Sequence, residues 1–187
     1  MTKPALITLL SAAVFLSGCP SAFAQNRRVE RAGVLSSPKE FGVSLGIQQE
    51  DRRVYNTVSL TADMEGILDG TETQPGIKFS WLHQNALKTG YIRDDITYRF
   101  YLGGGFATGY VRDHGAPGRN MGPILGMAAG AGVLFLFPNN IDIAVGITGE
   151  FGFQLREDET YGTLDLSWYA NGVFKAPIPH VTLYYRF

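Results

Sequence analysis

From Glu40 onward the chain alternates apolar and polar residues with a period of two. Phe41, Val43, Leu45 and Ile47 fall on one face, and Gly42, Ser44, Gly46 and Gln48 on the other, as in a strand with one apolar side. The alternation returns in Val54, Val58, Leu60, Ala62 and Met64 against Tyr55, Thr57, Ser59, Thr61 and Asp63, with Asn56 as the exception. A third strand is predicted where Ile77, Phe79 and Trp81 oppose Lys78 and Ser80, followed by a turn over 85–90. In the fourth, Ile96, Tyr98, Phe100 and Leu102 alternate with Asp95, Thr97, Arg99 and Tyr101. Gly103-Gly104-Gly105 then bends that strand rather than ending it.

The stretch RDHGAPGRNMG, 112–122, is the clearest loop. Beyond it Leu125, Met127, Ala129, Ala131, Val133, Phe135 and Phe137 line one face, and Gly126, Ala128, Gly130 and Gly132 the other. Such small residues suit the inside of a narrow barrel. Pro138-Asn139-Asn140 signals a tight turn, after which Ile141, Ile143, Val145, Ile147, Phe151 and Phe153 resume the alternation against Asp142, Thr148 and Glu150. A seventh strand sets Leu164, Leu166 and Trp168 opposite Thr163, Asp165, Ser167, Tyr169 and Asn171. A turn through Pro177 and Pro179 leads to an eighth, HVTLYYRF, with Val181, Leu183, Tyr185 and Phe187 on one face and Thr182, Tyr184 and Arg186 on the other.

The first residues differ in kind. Lys3, the apolar run Ala5 to Phe15 and the small-x-small triplet Ala22-Phe23-Ala24 make 1–24 a cleaved signal peptide, with Gln25 as the first mature residue. Leu16-Ser17-Gly18-Cys19 offers a competing lipoprotein-type site at which Cys19 would be acylated. Residues 25–39, with Arg27, Arg28 and Arg31 and no periodicity, read as a flexible lead-in, leaving 40–187 as the folded domain.

Composition narrows the field. Sixteen Lys and Arg against seventeen Asp and Glu leave no basic surplus for a nucleic-acid partner. Cys19 is the only cysteine, so no disulfide staples the domain. The longest apolar stretch past the signal, Ile124 to Pro138, is broken by glycines and falls short of the roughly 20 residues that a spanning helix needs. A membrane crossing would therefore use strands, and the 23 glycines and 21 Phe plus Tyr suit bent strands and aromatic girdles at membrane interfaces.

The last strand, with apolar residues at alternate positions and Phe187 at its end, resembles the small barrels of the Gram-negative outer membrane, the outer-membrane protein A, X and W type. The resemblance implies an all-β fold: an antiparallel up-and-down transmembrane β-barrel of about eight strands, preceded by the cleaved signal. It also implies residence in the bacterial outer membrane as a monomer, contact with outer-membrane lipid and lipopolysaccharide, and recognition of the strand ending in Phe187 by the barrel-assembly machinery. An eight-stranded barrel has an interior just wide enough for its own side chains. Inward Lys78, Asp95, Arg99, Asp142, Glu150, Asp165 and Arg186 are thus expected to pair as a plug, packed with Tyr101, Tyr169 and Tyr184. One conflict follows. With Phe187 at the periplasmic end and eight strands, parity places the Pro138-Asn139-Asn140 turn outside and the 112–122 loop inside, against the usual rule of short periplasmic turns.

No residue set rises to a catalytic, cofactor or metal site. His83, beside Trp81, resembles the histidine of barrel lipid A deacylases, but Asn85 stands where that pattern needs a serine. His114 with Asp113 and Asp94 reads as a solvated loop group rather than a metal site, since His83, His114 and His180 are not at ligand spacing; the glycines of GGGFATG lack the lysine of a phosphate loop, and Arg156 to Thr160 form a solvated charged turn. The expected role is non-enzymatic: structural, envelope-integrity or surface-interaction. A narrow channel for small or hydrophobic solutes is the first alternative and a lipid A-modifying enzyme the second. A lipoprotein-anchored β-sandwich competes for the fold, but its outward faces would be polar, unlike Phe79, Trp81, Tyr98, Phe100, Trp168 and Tyr185.

Overall fold

The computed structural model describes residues 28–48, 53–64, 67, 75–93, 95–112, 121–157, 164–171 and 178–187. Nine strands follow in chain order: β1 (Arg28–Ser36), β2 (Glu40–Gln48), β3 (Val54–Asp63), β4 (Gly76–Arg93), β5 (Ile96–Arg112), β6 (Met121–Leu136), β7 (Ile141–Glu157), β8 (Leu164–Asn171) and β9 (Ile178–Arg186). Each pairs antiparallel with its sequence neighbour from β1 to β8. β9 then pairs with both β7 and β1, closing a ring of eight wall positions. The eighth position is shared: β7 holds β9 along Ile141 to Thr148 and β8 along Phe151 to Glu157.

The strands are strongly staggered. The line of register partners that starts at Tyr185 runs through Ala32, Leu45, Val58, Trp81, Phe106, Met127 and Phe151 and arrives at Ala170, in β8 rather than back in β9. That displacement is the shear a small closed barrel requires, and it tilts every strand against the barrel axis.

Burial is inverted relative to a water-soluble protein. Phe41, Leu60, Ile77, Met127, Leu166 and Leu183 are exposed on the outside, while Ser44, Thr57, Ser59, Thr61, Gln84 and Thr182 are buried within. Closure through β9 pairs both edges of β1 and of β9, while β8 pairs with β7 alone among the described residues, and the apolar faces turn outward, as lipid demands. Aromatic residues gather toward both ends: Tyr98 against Phe100 and Tyr185 against Phe187 at the C-terminal end, and Trp168 stacked on Phe151 and Phe153 at the other.

Three expectations change. The lead-in 25–39 contains β1, whose Arg31, Gly33 and Leu35 point inward and whose outward Val34 is flanked by the small Ala32 and Ser36, so periodicity could not reveal it. A tight turn links it to β2, with Ser37 Oγ accepting from Glu40 N at 2.8 Å and Ser37 N donating to Glu40 O at 2.8 Å. The turn expected over 85–90 is strand: β4 continues to Arg93 opposite β5, with register shifts at Ala86/Lys88 and Tyr91/Arg93 that blur the alternation. By contrast, β5 passes through Gly103 to Gly105 without a shift.

The third change removes the parity conflict. β1 adds one strand ahead of the expected first, and β8 and β9 run in the same direction at one wall position. The 137–140 turn, where Asn140 has φ 61, therefore lies at the end that carries Phe187, together with the β2–β3 and β4–β5 connections. The ends of β5 and β6 that flank 113–120 lie at the opposite end. Residues 1–24, expected to be a signal peptide, with Cys19 of the competing lipoprotein-type site, and Asp94, Asp113 and His114 lie outside the described residues.

Candidate functional site

The polar groups converge inside the barrel, in two charged clusters separated by hydroxyls and tyrosines. Toward the end away from Phe187, Lys78 Nζ donates to Glu40 and, at 2.9 Å, to Glu150, with all three side chains nearly sequestered from solvent. β2, β4 and β7 each contribute one member, so the cluster ties together strands that are not neighbours in the wall. Thr61 Oγ1 donates to Glu40 at 3.3 Å. Lys78 and Glu150 fulfil the inward placement read from the sequence, and Glu40 joins them.

Below lies a hydroxyl chain. Ser59 Oγ donates to Ser44 Oγ at 3.0 Å, Ser44 Oγ lies 2.9 Å from Tyr184 Oη, and Thr57 Oγ1 donates to Gln84 Oε1 at 2.7 Å. Tyr55 and Tyr101 meet edge to face, their centroids 6.1 Å apart. The wall makes space for them with glycine: a Cβ on Gly132 or Gly146 would collide with Tyr101 Oη.

Toward the Phe187 end, Asp142 is wholly buried, with its oxygens 3.8 Å from Arg31 and 3.7 Å from Arg186. Arg31 stacks its guanidinium over Tyr55 and Tyr184, at 5.2 and 5.7 Å from the ring centroids. Gly46 is needed beneath it, because any Cβ there would overlap the arginine side chain. Arg186 also donates to Phe137 O at 2.8 Å. Arg99 points inward at this level, whereas Asp95 and Asp165, also expected to be inward, are exposed at strand ends where the lumen opens. Tyr169 is buried with Val111 and Ile124, and Gln154 Nε2 donates to Val111 O at 2.7 Å.

Among the described residues the lumen holds a cavity of about 50 Å³, lined by residues of both clusters, including Arg31, Glu40, Lys78, Tyr101, Glu150 and Tyr184. That is room for a few waters, far below the roughly 300–1,000 Å³ of a small-molecule pocket.

Outside the wall, His83 Nδ1 lies 3.0 Å from Asn56 Oδ1, its register partner on β3. This pairing explains the break in the β3 pattern, since Asn56 is an outward polar residue only 2% exposed. The contact holds the imidazole ring against the Asn56 amide. Asn85 is exposed two residues on, and among the described residues no hydroxyl is hydrogen-bonded to His83. A general base is oriented here without a nucleophile beside it. Arg156, at the start of the expected charged turn, belongs to β7 and donates to Ser167 of β8.

No protein-family model matches the chain, and no curated protein matches its sequence. Among solved structures, the crystal structure of a major outer membrane protein from Thermus thermophilus is similar, with 11% identity, 87% of this chain and 100% of that chain covered, and a TM-score of 0.40. The likeness is too distant to add to what the strand pairing establishes.

Proposed function

We propose that this chain is a non-enzymatic outer-membrane barrel with a plugged lumen, serving a structural, envelope-integrity or surface-interaction role. One observation carries the reading: apolar residues cover the outside of a closed strand ring while an ion-paired, tyrosine-packed interior leaves a cavity of only about 50 Å³. Such a body belongs in a bilayer and does not conduct. Its specific contacts fall to the connections at the end away from Phe187, where loops on a rigid scaffold carry recognition. Outer-membrane lipid and lipopolysaccharide face its sides, the barrel-assembly machinery reads the strand ending in Phe187, and it acts as a monomer.

Planar-bilayer recording tests the plug. The reconstituted protein is expected to show no discrete conductance steps, whereas regular steps would favour the narrow-channel alternative. A lipid A-modifying role has its foothold in the Asn56–His83 pair. It requires an altered lipid A mass in a deletion strain, where this reading expects an unchanged one.

A further inference from the structure

At the Phe187 end of the lumen, three arginines converge on a single buried carboxylate. Arg31 is 4% exposed and Asp142 0%. Arg186 is partly buried, and Arg99 is close enough to interact electrostatically with both Arg31 and Asp142. Among the described residues the guanidinium of Arg31 makes no hydrogen bond; its partners are Asp142 at 3.8 Å and two tyrosine rings. Neither oxygen of Asp142 accepts a hydrogen bond from a described side chain, and the buried hydroxyl of Tyr55 is likewise unpartnered there. Three arginines thus lie within electrostatic range of Asp142, with Glu30, on the neighbouring position of β1, within range of Arg99.

A guanidinium offers five donors in a planar fork matched to oxyanions, and its bonds to charged acceptors are about twice as strong as neutral ones. A buried arginine held only by charge and ring faces keeps that capacity unused. We propose that this end of the lumen is an oxyanion site for a phosphate group, in which Arg31, Arg99 and Arg186 supply donors and the Tyr55 hydroxyl a further one. Phosphate suits it better than a single carboxylate, because its three strong acceptor oxygens can take donors from more than one guanidinium at once. The cavity above is too small for the rest of a ligand, so only the phosphate enters and any attached group stays outside the barrel mouth. Asp142 competes with the ligand for the same arginines.

The test is calorimetric titration of inorganic phosphate into the full chain folded in a maltoside detergent. Saturable binding that weakens as sodium chloride is raised is expected. Arg99→Gln, at a partly exposed position, should weaken it about tenfold, the loss of one charge-assisted bond, and Asp142→Asn should tighten it. A purely structural ion cluster would give no saturable heat, or equal affinities in both variants, and either result would overturn the site. Folding is monitored for each variant by heat-dependent gel mobility; if Asp142→Asn does not fold, Arg99→Lys replaces it, with partial recovery expected relative to Arg99→Gln. Repeating the titration in phosphatidylcholine vesicles with and without phosphatidylglycerol identifies the source. Phosphate affinity lowered by the anionic lipid means that a headgroup fills the site, and unchanged affinity means that a soluble phosphate does.

Discussion

Lys78 shows most directly how single residues hold this lumen together. Its ammonium lies between Glu40 and Glu150, away from water, so removing it would leave two carboxylates buried together. Breaking a buried ion pair from one side costs about 3–5 kcal/mol, whereas replacing the whole set by uncharged groups is often near neutral. Lys78→Met is therefore expected to lose about that much stability in urea unfolding from lipid vesicles. Lys78→Met combined with Glu40→Gln and Glu150→Gln should recover most of it. Equal losses in the single and triple variants would mean that the charges do not act as a unit. The partnership itself is not legible in the sequence: alternation alone marks Lys78 and Glu150 as inward, but nothing local says that residues 38 and 72 positions apart meet.

Among the elements, β1 matters most, because its pairing with β9 turns a sheet into a ring. Val34 and Leu183 are register partners across that seam and both face outward. Val34→Cys with Leu183→Cys is expected to form a disulfide within one chain, detected as faster gel mobility that reverses on reduction. No crosslink under oxidising conditions would place β1 elsewhere. Strands with large apolar residues at every second position, β2, β5, β6, β7 and β9, are plain in the sequence because apolar surroundings on one side impose that pattern. β1 and the far half of β4 are not. In β1 the inward face holds an arginine and the outward face alternates Val34 with small residues, and in β4 two register shifts break the period. The shared position of β8 and β9 is also invisible locally, because it depends on where β7 offers an edge. Missing that shared position inverts the expected sidedness counted back from Phe187, although the strand count itself comes out close.

The whole molecule has two unlike ends. The β2–β3, β4–β5 and 137–140 connections share the end of Phe187, while the strand ends that flank 113–120 and 158–163 lie opposite. If short turns face the periplasm, Gly118→Cys should react with an impermeant maleimide on intact cells, and Asn139→Cys only after the outer membrane is permeabilised. The reverse pattern would invert the barrel. The lumen is polarised in the same sense, with two carboxylates around Lys78 and three arginines around Asp142. Both assignments depend on the ring being closed in a membrane. The most direct test is the electrophoretic mobility of the detergent-extracted protein, boiled against unboiled. A closed barrel resists the detergent until heated, so two distinct mobilities are expected; a single mobility under both conditions would contradict the barrel and everything built on its interior.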